Sequence, residues 1–193
     1  MNVKGLAVIV CMAGGVLPLA AQEVDSGVRS ILGMSSAPSV GIQGFVVSPQ
    51  QDLRTVVGGR TGFAVGAHWA FDLDDATELR PRLDYTRLDG GSFSFSSVSS
   101  TTTVQGVSVG TDMLWYLDES RRGLYGMGGL NICWWSYKNT FQGNSTTVSP
   151  SLLFGVGNRF NQSLSAEVNV DYGRFRSGDG RESSIRLGLY YQF

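Results

Sequence analysis

Lysine is almost missing from this chain, with only Lys4 and Lys138 among 193 residues. Charged residues of every kind make up 16%, and fifteen basic against sixteen acidic side chains leave a net charge of −1. That balance excludes a nucleic-acid-binding tail or basic patch. Histidine occurs once, as His68, and cysteine twice, as Cys11 and Cys133. With so few ligands no metal constellation has the required spacing, and no cofactor is expected. An internal disulfide framework is excluded as well, so backbone pairing and packing must supply the stability. Long apolar runs are absent after the first twenty residues, which rules out a bundle of membrane helices. What the chain has in quantity is glycine, 26 residues, with 11% aromatics.

The first segment has the form of an export signal. Met1-Asn-Val-Lys4 is a short positive region, Gly5 to Leu19 an apolar stretch of signal length, and Leu19-Ala20-Ala21 supplies small residues before Gln22. Residues 1–21 are therefore expected to be cleaved. A membrane anchor would need a longer run without Pro18, and Val10 before Cys11 is too large for a lipoprotein site. Residues 22–37 would form an N-terminal periplasmic stretch, and 38–193 the folded domain. The remaining thiol, Cys133 in Asn131-Ile-Cys-Trp-Trp135, is read as buried and inert.

Apolar side chains recur with period two rather than at helical spacing. Phe63, Val65, Ala67, Trp69 and Phe71 oppose Gly62, Ala64, Gly66, His68 and Asp72. The same alternation marks Leu79–Thr86, Val107–Leu117, Leu164–Tyr172 and Ile185–Phe193, and more weakly Val40–Pro49, Leu124–Tyr137 and Val148–Phe160. Glycines 126, 128 and 129 blur the faces of Leu124–Tyr137. Eight strands result. The polar face mixes small residues with His68, Arg80, Arg82, Asp84, Asp112, Glu167, Asp171 and Arg186. Such a mixture suits a narrow lumen in which these groups form one ion-pair network, with the apolar face turned to lipid. A soluble sandwich would show more lysine on its polar face and less glycine.

The connections alternate in length. Gln50–Arg60, Leu88–Thr103, Lys138–Thr147 and Gly173–Ser184 read as long loops, and Leu73–Thr77, Asp118–Gly123 and Asn161–Ser163 as short turns. Long loops outside the cell and short turns in the periplasm describe an outer-membrane barrel. On that topology Trp69, Phe71, Trp115, Phe160, Tyr191 and Phe193 fall at periplasmic strand ends, and Phe63, Tyr85, Trp134 and Tyr172 at external ends. Two such belts are what the membrane interfaces select. The fold expected is all-β: an eight-stranded antiparallel up-and-down transmembrane β-barrel.

From about residue 38 onward the chain resembles the small eight-stranded outer-membrane barrels, the superfamily of the OmpA transmembrane domain, OmpX and the opacity proteins. The most specific element is Ile185-Arg-Leu-Gly-Leu-Tyr-Tyr-Gln-Phe193, similar to the signal read by the outer-membrane assembly machinery. The resemblance assigns that role to Tyr191 and Phe193. The Gly-rich Leu124-Tyr-Gly-Met-Gly-Gly-Leu130 is typical but less specific. Partners implied are outer-membrane lipid, lipopolysaccharide, the assembly machinery and an extracellular protein or surface ligand at the loops.

The function expected is non-enzymatic: a barrel with a plugged lumen and a structural or adhesin-like role through its outer loops. The alternatives are a lipid A-modifying enzyme or a small pore. A serine hydrolase needs a base beside its serine, and His68 has no serine on its predicted face. Asp72, Asp74 and Asp75 form an acidic turn that could attract calcium, with a solvated turn as the default. In Leu88–Thr103 the alternation Ser92-Phe93-Ser94-Phe95-Ser96 admits a β-ribbon, although its Ser/Thr-rich composition favours a flexible loop.

Overall fold

The structure, a computed structural model, describes residues 38–95, 98–139, 143–174 and 181–193. The expected leader and the stretch 22–37 lie outside the described residues. Eight strands follow in order: β1 (Ser39–Gln50), β2 (Gly62–Asp72), β3 (Thr77–Phe95), β4 (Val98–Tyr116), β5 (Gly123–Asn139), β6 (Gly143–Arg159), β7 (Leu164–Arg174) and β8 (Arg181–Gln192). Each pairs antiparallel with its neighbours in sequence, and β8 returns to β1, closing an up-and-down barrel. Closure is completed at the last residue, whose N–H donates to the Val40 carbonyl at 2.9 Å. A closed ladder leaves no edge along its paired length.

Side chains follow the strand period, and the burial is inside out. Leu130, Val156, Leu187 and Leu189 on the outer surface are about 60% exposed, whereas Arg80, Asp84, Asp112 and Glu167 on the inner surface are at most 1% exposed. On β5 the ambiguous faces resolve: Tyr125, Met127, Asn131, Cys133 and Trp135 point inward, while Leu124, Leu130, Ile132 and Trp134 point outward. The glycines of the inner wall make room for rings on adjacent strands. A Cβ at Gly106 would lie 2.6 Å from the Trp135 ring, and one at Gly157 would collide with Tyr125.

Three of the expected long loops are strand over their described residues. β3 and β4 stay paired to Phe95↔Val98 across a register shift between Asp89 and Ser92, so the Ser/Thr-rich segment is a ribbon. β5 and β6 stay paired to Asn139↔Gly143, and β7 and β8 to Arg174↔Arg181. Between β5 and β6 the cross-strand pair Ser136↔Thr146 supports such pairing, which composition alone conceals. The fourth, Gln50–Arg60, contains a short helix, α1 (Gln51–Val56), whose Leu53 is buried. The wall formed by β3 to β6 therefore rises above the rest of this rim. The opposite rim has three short turns.

One seam is imperfect. β2 and β3 pair at His68↔Arg82 and again at Phe71↔Leu79, with no pairing at Trp69 or Ala70. Pro81, which lies across from Trp69 in that register, has no N–H to give the ladder.

Candidate functional site: the filled lumen

β3 sets the polar axis of the barrel because four alternate positions, Glu78, Arg80, Arg82 and Asp84, all face inward. Nearest the short-turn rim, Arg159 Nη2 donates to Glu78 Oε2 at 2.9 Å and its guanidinium stacks 4.8 Å from the centre of the Tyr116 ring. Tyr116 donates its hydroxyl to the same carboxylate at 3.2 Å. One layer up, Arg80 makes a two-pronged contact with Glu167, Nη1 to Oε1 at 2.6 Å and Nη2 to Oε2 at 3.0 Å. Arg80 Nη2 also reaches Asp112 Oδ2 at 3.3 Å, and the Tyr125 hydroxyl donates to Glu167 Oε1 at 2.7 Å.

The chain of charge continues upward. Arg82 Nε lies 2.9 Å from Asp112 Oδ2, and Arg82 Nη1 bonds Asp84. Arg186 then spans Asp84 and Asp171 loosely, at 3.6 and 3.7 Å, and touches Thr86 at 3.4 Å. Asn131 donates to Asp171 at 3.3 Å. Arg80, Arg82, Asp84, Asp112, Glu167, Asp171 and Arg186 thus lie in one connected set. His68 is buried on the same face but differs: its Nδ1 contacts Gln43 Oε1 at 2.8 Å, and Gln43 Nε2 donates to Asp84. It is therefore held by an amide rather than by an ion pair.

Sequence reading overlooked Glu78, Arg159, Gln43, Tyr116, Tyr125 and Tyr190. Their signal was the same alternation, since Glu78 stands two residues before Arg80 and Gln43 two before the inward-facing Phe45. Tyr116 and Tyr190 share the parity of the polar face in the same way. Tyr190 is buried, with Arg80 4.1 Å above its ring and Phe45 edge-on at 5.3 Å.

Of the aromatics assigned to the interfaces, Phe63, Trp115, Trp134, Phe160, Tyr172, Tyr191 and Phe193 are exposed on the outer surface, while Trp69, Phe71 and Tyr85 face outward half-buried. Tyr85 is not at a strand end, because β3 runs ten residues further to Phe95. The acidic turn at Asp72–Asp75 is filled by a neighbour. Arg121, from the turn between β4 and β5, pairs with Asp72 and donates to the carbonyls of Asp74 and Asp75. The Asp72 hydrogen bond raises the Arg121 pKa from its usual value. Hydrogen bonds from the Ser120 hydroxyl and N–H hold the Asp118 carboxyl below the usual carboxylate range. Among the described residues no group of three or more His, Cys, Asp and Glu side chains is placed to hold a metal ion.

A closed antiparallel barrel of eight strands, with polar charges inside and an apolar outer wall, is the architecture of the small outer-membrane β-barrels. Among solved structures the chain is similar to Neisserial surface protein A, at 16% identity over 82% of this chain and 98% of that one, with a TM-score of 0.55. It is also similar to Ail, the attachment invasion locus protein of Yersinia pestis, at 16% identity, 81% and 97% coverage and a TM-score of 0.47. The N-terminal β-barrel domain of Pseudomonas aeruginosa OprF gives 18% identity, 80% and 97% coverage and 0.45. At 16% identity the likeness to Neisserial surface protein A is one of fold. No protein-family model matches the chain, and no curated protein matches its sequence.

Proposed function

We propose that this protein is exported to the bacterial outer membrane and spans it as a closed, non-conducting barrel. Its role would be structural or adhesive, carried by the ribbons on its outer rim. The observation that carries this reading is the inversion of the two faces. Lipid offers no partner to backbone polar groups, so a closed ladder with an apolar outside is the form a strand-built span must take. An eight-stranded interior is only wide enough for its own side chains, and here Arg80 meets Glu167 across the bore at 2.6 Å while Arg82 binds Asp112 beside it. Diffusion through it is blocked. His68 Nδ1 is engaged by Gln43, and among the described residues no serine hydroxyl is given a hydrogen bond to the ring, so lipid A hydrolysis is not favoured.

The raised wall offers the means of interaction. β6 pairs with β7 only as far as Ser151↔Gly173, yet with β5 to Gly143↔Asn139. Along Gly143–Val148 no strand pairs on its other side among the described residues, a length of about 20 Å at ~3.3 Å per residue. The segment Asn144-Ser-Thr-Thr-Val-Ser149 is uncharged, so it lacks the charges by which sheet edges usually repel added strands. An extended polypeptide at the cell surface could pair there by strand addition. Lipopolysaccharide and lipid would contact the apolar wall, and the assembly machinery the terminal strand with Tyr191 and Phe193.

Four measurements test this. The protein should fractionate with the outer membrane, migrate faster on a gel unheated than boiled, and give no steady conductance in planar bilayers. Surface crosslinking with the intact chain and with residues 138–147 trimmed should then show a partner captured only by the former. Recovery of soluble periplasmic protein, or reproducible porin-sized steps, would overturn the reading.

A further inference from the structure

Above the charged layers the lumen lining turns apolar. Val47 of β1, Ala64 of β2, Leu88 of β3, Val104 of β4 and Cys133 and Trp135 of β5 form one buried cluster at the ribbon rim. It is closed by Leu53 and Val57, which are 1% and 0% exposed. Both come from the α1 segment, which packs against β8 and β1. Every other residue from Gln51 to Arg60 is exposed, so these two side chains are the buried part of the excursion.

The excursion is also hinged at both ends. The chain enters through Gln51 at φ 49°, an uncommon conformation for a residue with a Cβ, and leaves through Gly58 and Gly59 at φ 64° and 75°. The helix has no side-chain cap at its N-terminus, and Leu53 and Val57 are its buried contacts with the barrel. Beneath them lies an independent irregularity. Trp135 is 4% exposed, and its indole N–H has no hydrogen-bond partner among the described residues. Burying that donor without an acceptor is unfavourable, and a phenylalanine would fill the same space without the penalty.

We propose that the outer mouth is a lidded binding site, in which α1 lifts to admit a small, uncharged, mainly apolar molecule whose oxygen accepts a hydrogen bond from Trp135 Nε1. Leu53 and Val57 hold the place of the ligand when the lid is down. Charged molecules are excluded, because the surrounding wall is apolar and the arginines and carboxylates below are engaged with one another.

The test uses the protein in phospholipid nanodiscs, with benzophenone as the probe: uncharged, apolar and bearing one carbonyl. On irradiation its excited oxygen takes a hydrogen from a neighbouring C–H and the two carbon radicals join, leaving a mappable adduct. In the unmutated protein, adducts are expected on the inward-facing Val57, Val104 and Trp135 region as well as on lipid-facing residues. Trp135→Phe should reduce the inward adducts and leave the lipid-facing ones unchanged. In parallel, Leu53→Ala/Val57→Ala should speed maleimide labelling of Cys133 by about tenfold or more, since each lost anchor weakens the seated lid. Retention of the unheated gel shift identifies a folded variant. Adducts confined to lipid-facing residues of the unmutated protein, or inward adducts insensitive to Trp135→Phe, would sink the binding site without recourse to the double variant. An unchanged Cys133 rate in the folded double variant would show that α1 is not its cover.

Discussion

Replacing Arg80 with methionine should be the most damaging single change in the lumen. The methylene stem and its packing are kept, and only the guanidinium is lost. Glu167 then keeps one hydrogen bond, from Tyr125, and loses two charge-assisted contacts at 2.6 and 3.0 Å. Asp112 keeps Arg82. Removing one member of a buried pair costs about 3–5 kcal/mol, because the remaining charge stays desolvated. Glu167→Gln should cost less, about 1–3 kcal/mol, since Arg80 retains Asp112 at 3.3 Å and an amide oxygen still accepts one bond. In Arg80→Met/Glu167→Gln no unpaired charge is left at this pair, so the two losses should overlap by roughly 1–3 kcal/mol. The assay is guanidinium unfolding of the micelle-embedded barrel, followed by loss of the fast-migrating gel form, with the denaturant slope checked for constancy. Strictly additive effects, or a cost below about 1 kcal/mol for Arg80→Met, would show that the network is solvated and energetically idle.

Pro81→Val restores the donor missing from the β2–β3 seam and should raise stability by about 1 kcal/mol, with slower amide exchange around Trp69; a loss of stability would refute that explanation of the gap. Gly157→Val drives a side chain into the Tyr125 ring and should cost roughly 1–3 kcal/mol, whereas Gly126→Val, where a Cβ meets nothing within 4 Å, should be close to neutral by the same unfolding assay. Deleting Phe193, whose ring is 74% exposed on the outer surface, should cost the finished barrel only about 1–2 kcal/mol yet lower outer-membrane yield in cells strongly. Equal yield in cells, or failure to refold into micelles, would count against a role in assembly.

The barrel was readable because lipid-facing strands carry a regular message. β8 alternates Ile185, Leu187, Leu189 and Tyr191 against Arg186, Gly188 and Tyr190, and nothing in that stretch competes with period two. β5 was ambiguous because glycine appears on both faces, at Gly126 and Gly128 outside and at Gly129 inside, so size does not separate them. The ribbons were misread for a different reason. Serine and threonine pair well above the membrane, yet in a linear sequence they have the composition of a loop. α1 was concealed by length: Leu53 and Val57 are four apart, but six helical residues give too few positions for a period to be recognised. Within the lumen, the residues were legible from their parity, whereas the choice of partners was not. Arg159 meets Glu78 across the bore from a strand far along the chain, and no local spacing encodes that contact.

The cost of burying so much charge becomes intelligible when set against register. β3 places Glu78, Arg80, Arg82 and Asp84 on one face, and a slip of one residue against β2 or β4 would turn all four toward lipid. An arginine facing the bilayer midplane costs about 2–4 kcal/mol, so Arg80 and Arg82 alone would make the slipped barrel several kcal/mol worse, before their broken pairs are counted. An apolar lumen would carry no such penalty, because either face of each strand could then meet lipid. The ion pairs need not add net stability relative to a hydrophobic filling to have this effect. Their contribution is discrimination: with an apolar outside already present, a charged inside is what makes one register of β3 acceptable and the neighbouring one unacceptable. Arg80→Met/Glu167→Leu should therefore tolerate misregister better than it tolerates a lost cavity, and amide exchange across β3 should become heterogeneous even where the unfolding midpoint is largely recovered. Uniform exchange along β3 in that variant would mean that Arg80 adds nothing to the choice of register.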